Sequence, residues 1–356
     1  MRQQSVVELA DRLQRRHVGA VLGTLDLASD RTESAGRGRV RLPDGSQPGP
    51  DTLFEIGSIS KTFTSLALAV LVGSGAVSLG TPLRDLLPPG TMVPSRDGKE
   101  ITLEHLARHT SGLPRSPLPV LRELRIAALR GENPYDMDEA AVLESLKGVS
   151  LKHTPGRGHG GYSNLGGGLL GIALRRAAGV DSYYDLIWTT VLQPLELTDT
   201  MVRPTAGQVE RLAQGHGLRR RPVDPWFLEG MAGAGALRST AADVLRYLRA
   251  QLEPDRTPLA EAIRLTRQLW EPERRMTIGL GWVRTKLPGG DLWWHNGGTG
   301  GFRSFAGFSP DRGEASVVLV NDVRSPDRIG VEALPSLRRR PARRMRSGVR
   351  SRPGSA

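Results

Sequence analysis

The passage Phe54-Glu55-Ile56-Gly57-Ser58-Ile59-Ser60-Lys61-Thr62-Phe63-Thr64-Ser65-Leu66-Ala67-Leu68-Ala69-Val70-Leu71 decides how the rest of the chain is read. Residues 52–56 have strand character and Gly57 breaks it. From Ser58 onward, Phe63, Leu66, Ala67, Leu68, Val70 and Leu71 form an apolar stretch too long for one strand, and Gly73 and Gly75 end it. A strand feeding a buried helix is the expectation, with a serine cap at the entrance.

Working outward, residues 18–27 and 39–42 read as further strands beside 52–56, preceded by an amphipathic helix over 1–17. The middle of the chain changes character. Helical segments are expected at 103–109, 118–130, 137–146, 165–178 and 241–252, separated by turns rich in glycine and proline. Strand patterning returns at 278–283, 291–295, 302–308 and 315–321, followed by a closing helix over 328–337. Strands at both ends around a helical middle predict an α/β (α+β) protein. One sheet is built from the N- and C-terminal segments and flanked by helices, with a mainly helical domain inserted. The domains are placed at 1–80 with 276–337, and at 81–275, leaving 338–356 as a basic disordered tail.

Composition narrows the functional classes. The 356 residues are 38% hydrophobic and 24% charged, enough to bury a core. The longest uninterrupted apolar run, near 66–72, falls well short of the roughly 20 residues a membrane span requires. Cysteine is absent, which excludes a thiolate nucleophile, a disulfide framework and a cysteine zinc site. The net charge of +12 suggests nucleic acid until it is located. Eight arginines between Arg338 and Arg352, with no acid after Glu332, hold most of it, so the body is close to balanced. A nucleic-acid partner is expected only, if at all, through that Arg-rich tail. No export signal is visible at the N-terminus, so the expected location is cytoplasmic unless a preceding segment is missing. Oligomeric state is not readable.

Lys61 is one of five lysines, and it alone has a serine three residues before it. Residues at i and i+3 share a helix face, so the Ser58 hydroxyl and the Lys61 amine can meet. A serine becomes a useful nucleophile when a neighbouring base takes its proton. Burial and the positive end of the helix dipole both favour the neutral amine that could be that base. Tyr162-Ser163-Asn164 follows a glycine-rich approach and precedes an apolar helix, placing a phenol and an amide on a loop. A phenol beside a lysine ammonium can lose its proton below its usual value near 10. Asn164 can offer its amide to a substrate carbonyl or to Lys61. His295-Asn296-Gly297-Gly298-Thr299-Gly300-Gly301 follows Trp293 and Trp294, and its glycines would let backbone amides approach a ligand closely.

The order Ser-x-x-Lys, Tyr-x-Asn, His-x-Gly resembles the serine beta-lactamase and penicillin-binding-protein superfamily, specifically its class C and D-alanyl-D-alanine carboxypeptidase/esterase branch. The likeness runs from about Val18 to Leu337 and includes His109-Thr110-Ser111-Gly112-Leu113-Pro114 and Gly235-Ala236-Leu237-Arg238-Ser239-Thr240. It implies a beta-lactamase-like fold with a central antiparallel sheet, no metal or other cofactor, and a small-molecule acyl substrate: an ester, a beta-lactam or a D-amino-acid peptide. By the same resemblance Ser58 is the acylated nucleophile and Lys61 and Tyr162 share the acid and base work. Asn164 orients them, Gly297 belongs to the third motif, and the amides of Ser58 and Gly298 form the oxyanion hole. His295 stands where many relatives carry lysine, which makes the positive charge there conditional on pH.

Three other readings compete. An alpha/beta-hydrolase would explain His159-Gly160-Gly161, but no serine lies in Gly-x-Ser-x-Gly. A zinc hydrolase built on His105 and His109 lacks the catalytic glutamate and a third ligand, so both histidines read as structural. A non-catalytic relative that binds an acyl compound or peptide, with a polyanion-binding tail, stays open. Trp226, Trp282, Trp293 and Trp294 are candidates for an acyl pocket, although tryptophans on strands are more often core.

Overall fold

The computed structural model describes residues 4–118, 132–157 and 161–338. Most of the helix expected over 118–130, the His159-Gly160 pair and the arginine tail beyond Arg338 lie outside the described residues.

Eleven strands are present among the described residues: β1 (Gly19–Asp26), β2 (Arg31–Gly38), β3 (Phe54–Glu55), β4 (Gly215–His216), β5 (Pro222–Val223), β6 (Arg238–Ser239), β7 (Met276–Ile278), β8 (Val283–Leu287), β9 (Gly290–Gly298), β10 (Arg303–Ser309) and β11 (Glu314–Val320). Seven form one antiparallel sheet in the order β2-β1-β11-β10-β9-β8-β7. The sheet is therefore closed by pairing the two ends of the chain, with Ala20 opposite Val320 and Thr24 opposite Ser316.

Alternation along these strands sends side chains to two different cores. Val21, Leu25, Val317 and Leu319 join the main core, while Ala20, Leu22, Val318 and Val320 face α1 (Val6–Gln14). That helix buries Val6, Leu9, Ala10 and Leu13, and a capping box between Ser5 and Glu8 fixes its start. On the other side lies α2 (Ser60–Gly73), buried around nearly its whole circumference, as its unbroken apolar composition requires. Phe63 on α2 stacks on Tyr247 with ring centres 4.1 Å apart, and Tyr247 continues to Trp282 and Phe308. The same core extends into the helices Asn164–Ala177 and Ala241–Leu252 and the short helix α3 (Leu103–Ala107).

Several local expectations change. The second strand is Arg31–Gly38, not 39–42; its exposed polar residues show no apolar alternation, and Gly38, at φ +82°, turns the chain out of it. The strand expected over 52–56 is reduced to Phe54–Glu55, paired with Arg238–Ser239 outside the main sheet. The strand expected over 278–283 is instead the turn between two strands, β7 ending at Ile278 and β8 starting at Val283, because Gly281, at φ +75°, reverses the chain there. The closing helix splits into Asp327–Glu332 and Pro335–Arg338.

Candidate active site

Ser58 sits on a 3-10 turn, Gly57–Ile59, that leads directly into α2. It does not cap that helix: Ile59 occupies the cap position and no side chain bonds there. Gly57 precedes Ser58 at a φ of +50°, which starts the tight turn that carries the serine. The neighbouring Ser60 ties the turn down, its hydroxyl donating to Gly57 O at 2.7 Å and accepting from Leu237 N at 3.1 Å. The Ser58 hydroxyl is left for other partners.

Lys61 Nζ lies 3.0 Å from Ser58 Oγ, 2.9 Å from Asn164 Oδ1 and 2.6 Å from Ala234 O. A neutral amine has two N–H donors and one lone pair. With its donors taken by the two carbonyl oxygens, an unprotonated Lys61 amine would turn its lone pair to the serine hydroxyl. Burial, and after it the nearby Arg115 charge, hold the Lys61 amine well below its ordinary value. Ala234 reaches this position because the Asn164–Ala177 helix offers glycines to the short helix Ala232–Gly235. A Cβ at Gly171 would lie 2.8 Å from Gly233 Cα.

Tyr162 completes the group. Its hydroxyl hydrogen-bonds to Ser58, and its ring lies 5.0 Å beneath Lys61 Nζ. His109 packs on one side with ring centres 4.5 Å apart, His295 on another at 6.1 Å, and the Arg115 guanidinium lies 5.3 Å from the ring. The sequence expectation of an acidified phenol is corrected here. Burial raises Tyr162 to about 12, outweighing the Ser58 hydrogen bond and the Arg115 charge that pull the other way. Tyr162 therefore keeps its proton at neutral pH. Asn164 uses both ends of its amide within the protein, accepting from Lys61 and donating to Tyr135 Oη at 2.9 Å.

The glycines of β9 lie against the nucleophile turn. A Cβ at Gly57 would fall 2.5 Å from Gly298 N, and one at Gly297 would collide with Ile56 O. Both contacts need glycine. His295 occupies a different place from Gly297 and Gly298, buried behind Tyr162 and absent from the cleft wall. Its Nδ1 donates to Asn296 O at 2.6 Å. Burial, then the Lys61 charge, lower it to about 3 against the opposing pull of that bond, so the ring is neutral at neutral pH rather than a conditional cation.

Ser58 opens onto a cleft of about 470 Å³ whose wall includes Arg115, Tyr135, Tyr162, Trp226, Gly298 and Arg303. A recess of about 30 Å³ adjoins it at Ser58, lined by Trp226, Leu228 and Met231. Of the four tryptophans considered from sequence, Trp226 reaches the cleft. Trp282 and Trp293 are core, and Trp294 packs on Phe305 and donates to Thr285 Oγ1. Trp226 is held by a buried ion pair: its N–H donates to Glu55 Oε1 at 2.8 Å, its carbonyl accepts from Arg238 Nη2 at 2.9 Å, and Arg238 bonds Glu55 at 3.0 Å. Tyr135, Arg115, Arg303 and the Ala234 carbonyl were not found from sequence, because none sits in a periodic or motif-like pattern.

His105 and His109 do not converge. His105 Nδ1 accepts from Thr102 N within a capping box at α3, and His109 Nδ1 accepts from Ser163 N at 3.3 Å. Among the described residues no three His, Asp or Glu side chains are grouped to hold a metal, and no helix is long and apolar enough to cross a membrane.

Residues 12–334 match the Beta-lactamase family model. The chain is 31% identical to the D-alanyl-D-alanine-carboxypeptidase/endopeptidase AmpH of Escherichia coli over 307 residues, covering 81% of this chain and 75% of that protein. It is 27% identical to a beta-lactamase of the same organism, covering 79% and 78%. Among solved structures, a beta-lactamase/D-alanine carboxypeptidase from Yersinia pestis, complexed with citrate, superposes with a TM-score of 0.75 at 26% identity, covering 94% of this chain and all of that one. A class C beta-lactamase shares the fold with a TM-score of 0.79 at 22% identity, covering 94% and 96%.

Proposed function

From the premise that this chain belongs to the beta-lactamase family and is a serine hydrolase of the beta-lactamase type, we propose that Ser58 is its acylated nucleophile, acting on an ester, amide or beta-lactam carbonyl. The observation that carries this reading is the 3.0 Å approach of a buried Lys61 amine to Ser58 Oγ, with its two other partners both carbonyl oxygens.

The cycle follows from the proton positions. As Ser58 Oγ bonds to the substrate carbonyl carbon, its proton passes to the Lys61 lone pair and the carbonyl electrons move to oxygen. In this reading the Ser58 and Gly298 amides receive that oxyanion. Tyr162, protonated because burial raises it to about 12, lies at the serine and hands its proton to the leaving group as the carbon–heteroatom bond breaks. Lys61 then passes the proton it took from Ser58 to the Tyr162 phenolate, which restores both groups. Water then gives a proton to Lys61 as its oxygen bonds to the acyl carbon, and the carbon–Oγ bond breaks as that proton is returned to Ser58 Oγ, releasing the acid and the free serine. The non-catalytic alternative is disfavoured by the intact Ser58, Lys61 and Tyr162 cluster.

Stoichiometric labelling by a fluorophosphonate or penicillin probe, lost in Ser58→Ala, is the expected result. Full labelling of Ser58→Ala would refute the assignment. A panel of short-chain esters, cephalosporins and D-amino-acid peptides then ranks the substrates.

A further inference from the structure

The hairpin joining β4 and β5 ends in a turn whose residues do not suit its shape. Arg221 N donates to Leu218 O at 3.3 Å, and the two residues between them, Arg219 and Arg220, stand at φ +57° and +59°. Two successive left-handed residues make this a primed turn, where asparagine and glycine are favoured because a Cβ is crowded. Arginine gains nothing from that conformation itself.

The side chains do not offset the strain within the chain. Arg219, Arg220 and Arg221 are exposed, and among the described residues no hydrogen bond or ion pair engages their guanidinium groups. The arginines that flank the hairpin in sequence behave differently: Arg203 pairs with Glu229, Arg211 with Asp199 and Arg238 with Glu55. Asp224 is the one acid between Glu210 and Glu229. Leu218, at the head of the turn, is 67% exposed, the most of any large hydrophobic residue described. The base of the hairpin is firm, since His216 N donates to Gly301 O and Asn321 O, and Gly217 N to Arg221 O at 2.8 Å. The tip is therefore a projection that presents three unpaired cations and a bare leucine.

Strained backbone that no internal contact offsets is retained where an external contact uses it. Guanidinium forks pair with phosphate oxygens, and a leucine surrounded by water gains by entering an apolar phase. Cations around a protruding aliphatic side chain suit attachment to a lipid interface, and no aromatic ring lies in the tip to stack on a base. A neighbouring loop starts from the same joint, where Asn321 Nδ2 donates to Val40 O at 3.1 Å and to Gln214 O at 3.0 Å, and it adds the exposed Arg41 and Leu42. We propose that the tip over 218–221 docks the protein on an anionic lipid surface, with Leu218 at the boundary of headgroups and acyl chains and the arginines on lipid phosphates.

Co-sedimentation of the full chain with vesicles tests this, using phosphatidylcholine with roughly one third phosphatidylglycerol, and phosphatidylcholine alone. The wild type should bind the neutral vesicles at least about tenfold more weakly. The arginine-rich segment beyond Arg338 is present in every variant, so its share of the binding is constant. Arg219→Asn/Arg220→Asn should bind the anionic vesicles about tenfold more weakly than the wild type, and Leu218→Ser about threefold more weakly. Arg15→Gln/Arg16→Gln removes the same charge from the exposed end of α1 and should change binding less than about twofold. Because asparagine accepts left-handed backbone, Tm of the Arg219→Asn/Arg220→Asn variant should not fall; Leu218→Ser, which leaves the turn residues in place, decides the matter if it does. Equal losses in the two double variants would mean general charge attraction, and wild-type binding by Leu218→Ser would mean contact with a polyanion rather than entry into lipid. Either result overturns the proposal, as does wild-type binding by Arg219→Asn/Arg220→Asn.

Discussion

Gly167 lies directly over the stem of Lys61: a Cβ there would sit 3.0 Å from Lys61 Cε and 3.3 Å from Ala234 Cα. The amine is fixed by this absence of a side chain as much as by its three hydrogen-bond partners. A methyl group at 167 must push the lysine stem, and the amine can then no longer hold 3.0 Å to Ser58 and 2.6 Å to Ala234 together. Gly167→Ala is expected to fold and to lose about tenfold or more in kcat, the scale on which misplacement of a catalytic group by a fraction of an ångström acts. Circular dichroism with ester kinetics checks it; unchanged kcat would show that the stem has room.

The rate of acylation should climb with pH as Lys61 loses its proton, and this occurs well below the ordinary lysine value because the folded amine is buried. Tyr162 keeps its proton up to about 12, so the plateau should extend past pH 10, wider than a bell centred near neutrality. Removing the positive charge in Arg115→Gln lets Lys61 hold its proton more tightly. The rising limb should then move to higher pH. A kcat/KM profile on a neutral ester measures the displacement, and a shift to lower pH would contradict the electrostatic account.

Tyr162→Phe removes the proton carrier but leaves the ring between His109 and His295. The expected loss is about 10²–10⁴ in kcat with KM changed little, as for removal of a general acid. Stopped-flow kinetics with a good and a poor leaving group test this. The poor one should suffer more, since it needs the proton.

His295 carries a stability signature. Its folded value is about 3 and its unfolded value 6.5, so between these pH values the unfolded chain binds the extra proton. Stability must therefore fall as pH drops from 6.5 towards 3, with a slope of up to about 1.4 kcal/mol per pH unit from this one group. His295→Asn should flatten urea-unfolding free energies across that window, and an unaltered slope would place the acid sensitivity elsewhere, His109 being the next group to examine.

Glu55 and Arg238 are 3% and 1% exposed and bond both to each other and to the backbone of Trp226. Removing either charge strands the other, so Glu55→Gln or Arg238→Met should each cost about 3–5 kcal/mol, and the double variant less than their sum. Denaturant titration of the cycle decides it.

The motifs and the apolar strands were legible because each rests on spacing. Ser58 and Lys61 share a helix face by their three-residue separation, and β10 and β11 alternate visibly between two cores. What escaped rests on long-range approach. Strand β2 is polar on an exposed edge, so its pairing with β1 left no apolar period to read. Arg115, Tyr135 and Trp226 enter the cleft from separate loops, and nothing in a linear string brings them together. Charge states escaped for the same reason. A histidine or tyrosine has its ordinary titration in sequence, and only the dry, crowded surroundings of His295 and Tyr162 move them away from it.

The pairing of Ala20 with Val320 also bears on how the molecule is made. On the ribosome, β1 and β2 emerge early and can form a hairpin, but the inner edge of β1 stays unsatisfied until β11 has been synthesised. For most of translation the nascent chain displays a row of unpaired amides beside Val21 and Leu22, an invitation to the wrong neighbour. Maturation of this protein is thus paced by the arrival of its last strand, and chaperone demand should be greatest on chains halted just short of it.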